Sequence, residues 1–350
     1  MLSFHAQLVP LSSLDVSVPG LQKKGDLARK EHVALSCSSR RNETVLEVGH
    51  QVRIERGDGQ KGNAALFTIK DFVADRDDNG VKDESHSLVL PDEAIQRLGL
   101  ALPYSCKLSI STKLLDNRFT EEDAKEQCDL CEKVLDDGGS DIVIIAPHGG
   151  DTEPKTDQQA EETFLRLREQ SDLKPAMWAL KGYFLPRDKR TTKNPWHITS
   201  ADISENSFDG LKKLMQRGQF KYAVAYHGMH AEEGREDIRI GGNAPKDLKR
   251  KIKHRLRDVL KGLKHVEDAS MKSADGECRC DFVIKIAKKS GGLGGTSPAN
   301  IVNRMGVEGV QLEQTPPARE QWKLIARTVA DVYREVIEEH SAKKAKTNGC

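Results

Sequence analysis

The chain has 350 residues and a net charge of +1, with 55 lysines and arginines against 54 aspartates and glutamates. That length exceeds one ordinary domain, so two are expected, with ample material for a large core. The even charge balance leaves no global field to gather nucleic acid or anionic lipid, and no run approaches the roughly 20 apolar residues that cross a bilayer, so neither is expected as a partner and any anionic ligand must be met locally.

The opening "MLSFHAQLVPLSSLDVSVPGLQKKG" lacks a basic start and is broken by Pro10 and Pro19, which makes a poor secretory signal. Seven scattered cysteines, an odd number, read as reduced thiols, and together these features predict a cytoplasmic protein. Residues 1–42 show no sustained periodicity and are expected to be an irregular N-terminal extension. Residues 43–120 then break into short β-prone pieces, "TVLEVG", "HQVRIER", "AALFTIKDFVA", "SHSLVLP" and "YSCKLSIS", separated by turn material, and predict a small β-rich domain. Within it, Pro91 opens and Gly99 closes a short helix, a strand, helix and "LGL" turn that resembles small double-psi or swapped-hairpin barrels.

Residues 121–137 are heavily charged and predict a linker helix ending at Gly138 and Gly139. From 138 to 342 strands and helices alternate. "DIVIIAPHGG" has the unbroken apolar run of a strand covered on both faces. A helix follows over "TDQQAEETFLRLREQ", with Thr156 or Asp157 as its cap, and further strands are expected at "AMWALKGYF", "KYAVAYHG", "CDFVIKIA" and "EGVQLEQ". Helices are expected at "SFDGLKKLMQRG", at "APKDLKRKIKHRLRDVLKGL" and through "PAREQWKLIARTVADVYREVIEEHSAKK". The fold class is therefore α/β, a three-layer mixed or mostly parallel sheet with helices on both faces, preceded by the barrel-like domain. Residues 343–350 are expected to be a disordered basic tail, too short a run to argue strongly for nuclear import.

Open sheets of this kind bind ligands beyond the carboxyl ends of their strands. Two strands here end alike: one delivers His148 into a glycine turn followed by Glu153, the other delivers His227, again before a glycine. Gly149 and Gly150 let the chain reverse and bring the Glu153 carboxylate back beside the imidazole. Two imidazoles and a carboxylate with a position left to water form the open set of catalytic zinc, so His148, Glu153 and His227 are the expected ligands, with His230 a rival in the same turn. A third strand delivers Glu313, the expected general base. A satisfied strand-end histidine or a salt-bridged carboxylate is the commoner use of each residue alone.

The segments "APHGGDTEPKT", "FLPRDKRTTKNPWHITS", "AYHG…IRIGGNAPKDLKRKI" and "GGTSPANIVNRMGVEGVQLE", in this order, resemble the poly-γ-glutamate hydrolase family over roughly residues 138–340. The resemblance implies a zinc carboxypeptidase-like fold, zinc as cofactor, and hydrolysis of γ-glutamyl amide bonds in an anionic polymer. It matches His148, Glu153 and His227 to the metal ligands and Glu313 to the carboxylate base. It also places Asn303, Arg304 and His197 as substrate-binding residues, the arginine forking onto a substrate carboxylate. The family usually carries a glycine and a serine-glutamate pair where this chain has Lys155 and Asp157–Gln158, which bears on substrate preference rather than on the metal. Two other functions stay open: a non-catalytic binder of glutamate-rich chains, and an amidase acting on small acylated amino acids.

Competing signals are weaker. "KKSGGLGGTSPAN" lacks the lysine and hydroxyl ending of a P-loop, so it reads as a substrate loop. Cys128, Cys131, Cys278 and Cys280 could bind zinc only if two distant pairs met. The basic helix near residue 250 reads as a solvated face.

Overall fold

The computed structural model describes residues 3–10, 29–36, 46–57, 64–73, 87–100, 108–116, 118–139, 141–184, 194–230, 236–263, 282–288 and 294–348. The chain divides into two compact units, Met1–Cys131 with Gly182–Lys212, and Glu132–Lys181 with Lys213–Cys350. Among the described residues no helix is long and apolar enough to cross a membrane.

The first unit holds a closed six-stranded barrel built from β1 (Ser3–Pro10), β2 (His32–Ser36), β3 (Gln51–Arg56), β4 (Ala64–Val73), β5 (Ser87–Leu90) and β6 (Leu108–Ser111), in the order β1-β5-β2-β4-β3-β6. The pairs β1/β5 and β2/β4 are parallel; the other four are antiparallel. Period-two alternation fills its interior: Val33 and Leu35, Val52 and Ile54, Phe67 and Ile69, Leu88 and Leu90, Leu108 and Ile110 share one core. The helix α1 (Asp92–Arg97) follows Pro91 as expected and adds Ala94 and Ile95 to that core, with Gly99 beyond it at φ +66°.

Two barrel strands fall where an irregular extension was expected. β1 pairs with residues 87–90 and 108–111, and β2 with 68–73 and 88–89, so their strand character comes from partners far along the chain. Segment 194–208, expected inside the α/β domain, also belongs to this unit. The buried Arg97 donates to the carbonyls of Asn194, Pro195 and His197, and Leu66 N–H donates to Pro195 O over 3.0 Å. Asp202 receives Lys70 Nζ at 2.6 Å and pairs with His32 Nε2 at 3.0 Å.

The charged stretch 121–137 is helix only in its first half. α2 (Glu121–Gln127) opens on a Thr120 capping box and stops at Cys128, whose φ of +58° turns the chain out of the helix. The rest is β7 (Leu130–Asp136), a strand at the sheet edge, where charged side chains are tolerated. Its Glu132 accepts from Trp178 Nε1 at 2.6 Å and its Lys133 pairs with Glu161.

The second unit is a seven-stranded mixed sheet in the order β12-β11-β13-β10-β8-β9-β7. Its remaining strands are β8 (Ile142–Gly150), β9 (Ala176–Gly182), β10 (Phe220–Gly228), β11 (Ile238–Gly241), β12 (Ile284–Ile286) and β13 (Gly306–Gln314). β8, β10 and β13 run parallel, and only the β11/β13 pair has an antiparallel register among those recorded. The helices are α3 (Thr156–Gln170), α4 (Asp209–Gln216), α5 (Lys246–Leu260), α6 (Ile301–Met305), α7 (Pro316–Glu320) and α8 (Trp322–Asn348). One sheet face, carrying Ile144, Val224, Val310, Leu312, Ile238 and Ile240, is buried under α3, α5 and α8. α6 packs against β13 and β10.

Helix details also differ from expectation. α3 is preceded by Lys155 at φ +79° as its cap residue; Thr156 lies inside and its hydroxyl donates to Glu153 O at 2.8 Å. A left-handed lysine costs about 1 kcal/mol, which explains why a glycine suits that position. α8 continues to Asn348, through the stretch expected to be a disordered tail. The basic α5 buries Leu248, Ile252 and Leu256, while Lys251 and Arg255 pair with Glu335 on α8. Cys278 and Cys280 lie outside the described residues.

Candidate metal centre

β8 brings its apolar run to Pro147 and then His148, which is 3% exposed. The following turn is dictated by close packing. A Cβ at Gly149 would lie 2.7 Å from Asp157 Cβ, and Gly150 sits at φ +68°. Glu153 N–H closes the turn onto His148 O at 2.8 Å, so the carboxylate returns to the histidine that began it. β10 delivers His227, 2% exposed, and Gly228 N–H donates to Glu153 Oε2 at 2.8 Å.

Three ligand atoms converge within the second unit. His148 Nδ1 lies 3.2 Å from Glu153 Oε2, His227 Nδ1 lies 3.6 Å from the same oxygen, and the two Nδ1 atoms are 3.3 Å apart. Ligands at the usual zinc distance of about 2.0–2.1 Å on a tetrahedron are about 3.3–3.4 Å from one another. The triangle thus has the edges of one face of a zinc tetrahedron, and its chemistry, two imidazoles and a carboxylate, suits that ion. Burial opposes charge on Glu153, but His148 and His227 outweigh it and hold the carboxyl well below its ordinary range.

Glu313 is the direct ladder partner of His227, so its side chain stands on the same face one strand away. It is 5% exposed, and its Oε1 accepts from Gln311 Nε2 at 2.5 Å. Gln311 in turn accepts from Asn300 Nδ2 at 2.8 Å, which fixes the amide's orientation. Burial raises the Glu313 pKa; His227 opposes the rise and Glu153 adds to it. A carboxylate with raised proton affinity beside a metal position can accept and return a proton.

Of the eight residues singled out from sequence, His148, Glu153, His227 and Glu313 meet within the second unit. His230 is exposed. The Asn303 amide is taken up locally: Nδ2 donates to Gly295 O and Ser297 O, and Oδ1 accepts from Asn243 N–H. Arg304 shares a surface recess with Phe220, the first residue of β10, at the other end of that strand from His227. The structure therefore does not bring Asn303 and Arg304 to the cluster. His197 belongs to the first unit, where its carbonyl receives Arg97.

Other residues at the site carried no sequence signal. Arg319, 9% exposed, donates from Nη1 to Pro154 O at 3.1 Å, and among the described residues its Nε has no hydrogen-bond partner. Burial lowers its pKa against the attraction of Glu153. It packs over Gly228, where a Cβ would come 2.9 Å from Nη1. Gln311 lies two residues before Glu313 and was legible only as strand; its amide becomes meaningful once the strand is known to face the cluster.

Residues 117–332 match the family model described as poly-gamma-glutamate hydrolase. Among solved structures, the chain is similar to a bacteriophage poly-gamma-glutamate hydrolase at 20% identity, covering 62% of this chain and 90% of that one with a TM-score of 0.37. It is similar to a zinc-free apo form of YndL at 21% identity, covering 59% and 88%, with a TM-score of 0.33. A metallo-carboxypeptidase from Pseudomonas aeruginosa matches at 11% identity over 83% of this chain and 81% of that one, with a TM-score of 0.34. No curated protein matches the chain.

Proposed function

The chain belongs to the poly-γ-glutamate hydrolase family, and from that premise we propose that it is a zinc-dependent hydrolase cutting γ-glutamyl or closely related amide bonds next to a carboxylate. The observation that carries this reading is the triangle of His148 Nδ1, His227 Nδ1 and Glu153 Oε2, with edges of 3.2–3.6 Å, one strand from a buried carboxylate. These three atoms would hold the ion. When bound, zinc supplies a Lewis acid for the scissile carbonyl and lowers the pKa of a water from about 15.7 to about 7.

The chain's own residues divide the remaining work. Glu313 takes a proton from the attacking water and delivers it to the leaving amine nitrogen, a pair of transfers suited to a carboxyl whose pKa burial has raised. Gln311 holds Glu313 Oε1 and is itself oriented by Asn300, so the carboxylate keeps one geometry through both transfers. Gly228 N–H binds Glu153 Oε2, which orients this ligand from behind.

The test pairs elemental analysis with a substrate panel. The purified chain is expected to hold one zinc, and His148→Ala or His227→Ala to lower occupancy at least tenfold. A panel of α- and γ-glutamyl amides, from small acylated amino acids to polymer, should show turnover on γ-linked members. A chain that retains no zinc and cuts no member is a binder of glutamate-rich chains instead. Turnover restricted to small acylated amino acids would make it an amidase.

A further inference from the structure

The ladder register extends the row of His227 and Glu313 by two more strands. Arg239 on β11 is the direct partner of Glu313, and Lys285 on β12 is the direct partner of Arg239. Paired residues point to the same side of a sheet. The flanking Ile238, Ile240 and Ile284 all enter the core under α3, α5 and α8, so Arg239 and Lys285 stand on the opposite face with His227 and Glu313. One level of the sheet therefore reads, across four strands, imidazole, carboxylate, guanidinium, ammonium.

Arg239 is held rather than neutralised. Its Nε donates to Glu236 Oε1, and Lys285 Nζ lies 3.5 Å from Glu236 Oε2. Burial works against charge on Glu236, but its own backbone N–H and the two cations keep it ionised. Among the described residues Arg239 and Lys285 share this one ion-pair partner. Arg239 hydrogen-bonds to the described residues through Nε alone, and its side chain is 17% exposed. A guanidinium steadied at Nε with its fork open is preorganised for a two-oxygen anion.

We propose that Arg239 is the residue that recognises the substrate's α-carboxylate, with Lys285 beyond it adding attraction for the next carboxylate along the chain. Neighbouring strands are about 4.8 Å apart, so Arg239 Cα lies about 10 Å across the sheet from His227 Cα. In a γ-glutamyl amide the α-carboxylate carbon is four bonds from the scissile carbon, about 5 Å. A carbonyl over the metal ligands therefore puts its own carboxylate above Glu313 and within reach of the Arg239 fork. This assignment rests on the proposed hydrolase reading and gives it a specificity element. It takes the place that the family resemblance assigned to Arg304.

Titration calorimetry tests it on the full zinc-loaded chain carrying Glu313→Gln to suppress turnover. The probes are a γ-glutamyl oligomer with free α-carboxylates and the same oligomer as α-carboxamides. The acid should bind about 10- to 100-fold more tightly than the amide. Adding Arg239→Met should collapse that preference to within about threefold, and Arg239→Lys should leave an intermediate value, because charge survives but the fork does not. Zinc stoichiometry and circular dichroism should match the parent. A preference that survives Arg239→Met, or its absence while Arg239 is intact, overturns the assignment. Turnover by the otherwise unaltered chain separates the two ideas. Carboxylate preference through Arg239 without turnover keeps the clamp and sinks the hydrolase, turnover in which Arg239→Met keeps the parent's preference for acid over amide sinks the clamp, and no binding at all by the intact chain sinks both.

Discussion

Both units bury charged and polar side chains, and they use them in opposite ways. In the barrel unit Arg97 has four backbone carbonyls within hydrogen-bond range, of Lys30, Asn194, Pro195 and His197, and Gln51 bonds Asp202 O and Ser204 N–H. In the α/β unit His148, His227 and Glu153 turn their polar atoms on one point, and Glu313 stands one strand away. The first arrangement satisfies backbone groups that would otherwise be orphaned, and so fixes segment 194–208. The second concentrates ligand atoms at strand ends, which is costly unless an ion or a proton is shared there. Burial of a polar group thus says little about function until its partners are counted.

The largest expected effect lies in the α/β unit. Glu313→Gln keeps the size and the Gln311 neighbour but removes the proton acceptor. kcat on a γ-glutamyl amide should fall by about 10²- to 10⁴-fold with zinc content unchanged. Turnover that stays within a few-fold of the parent would mean that the carboxylate beside His227 is structural, and the contrast between the two units would lose its sharpest member.

Arg97→Met is the matching break in the barrel unit. Burial pulls this guanidinium's pKa down to about 10, opposed by Glu31, and the side chain stacks over Phe67 at 5.0 Å. Removing it takes a donor from each of the carbonyls of Lys30, Asn194, Pro195 and His197, at about 2–4 kcal/mol. Calorimetric unfolding should show the loss, while zinc bound per chain at 25 °C stays the same. A loss of zinc in step with the loss of stability would show that the two uses of buried charge are not independent.

How far this contrast was legible beforehand depended on how local each feature is. The meeting of His148 with Glu153 was legible because a buried strand, a glycine turn and a carboxylate lie within a few residues of one another, and His227 was legible as the end of a strand before a glycine. Glu313 could be found for the same reason, as the end of a strand. Arg239 could not, because its place beside Glu313 is set by the register of β11 against β13, some 75 residues apart in the chain. β1 and β2 were missed on the same physical ground: each is a strand only because distant strands supply its hydrogen bonds. β7 was missed because an edge strand can carry Glu132, Lys133 and Asp136 in a pattern that reads as solvated helix. Arg304 shows the converse, a residue placed by motif that α6 sets beside the start of β10, at the end of that strand away from His227.

The smallest effect sharpens the comparison by pH. Asp202 is partly buried between His32 and Lys70, and although burial opposes its charge, their hydrogen bonds and charges bring its pKa down to about 2. A folded pKa below the unfolded value of about 3.9 means the stabilisation is fully present above pH 4 and is lost as pH falls through 4 towards 2. After allowance for solvent screening it amounts to about 1–2 kcal/mol at pH 7. Asp202→Asn should therefore lower Tm by a few degrees at pH 7, and the gap from the parent should shrink by about half near pH 3. A gap that holds constant across that range would mean that shape rather than charge fixes this contact, and that the barrel unit's polar groups act as packing pieces. Turnover per folded chain should be unaffected at pH 7, since this charge is tied to the barrel unit and not to the row that runs from His227 to Lys285.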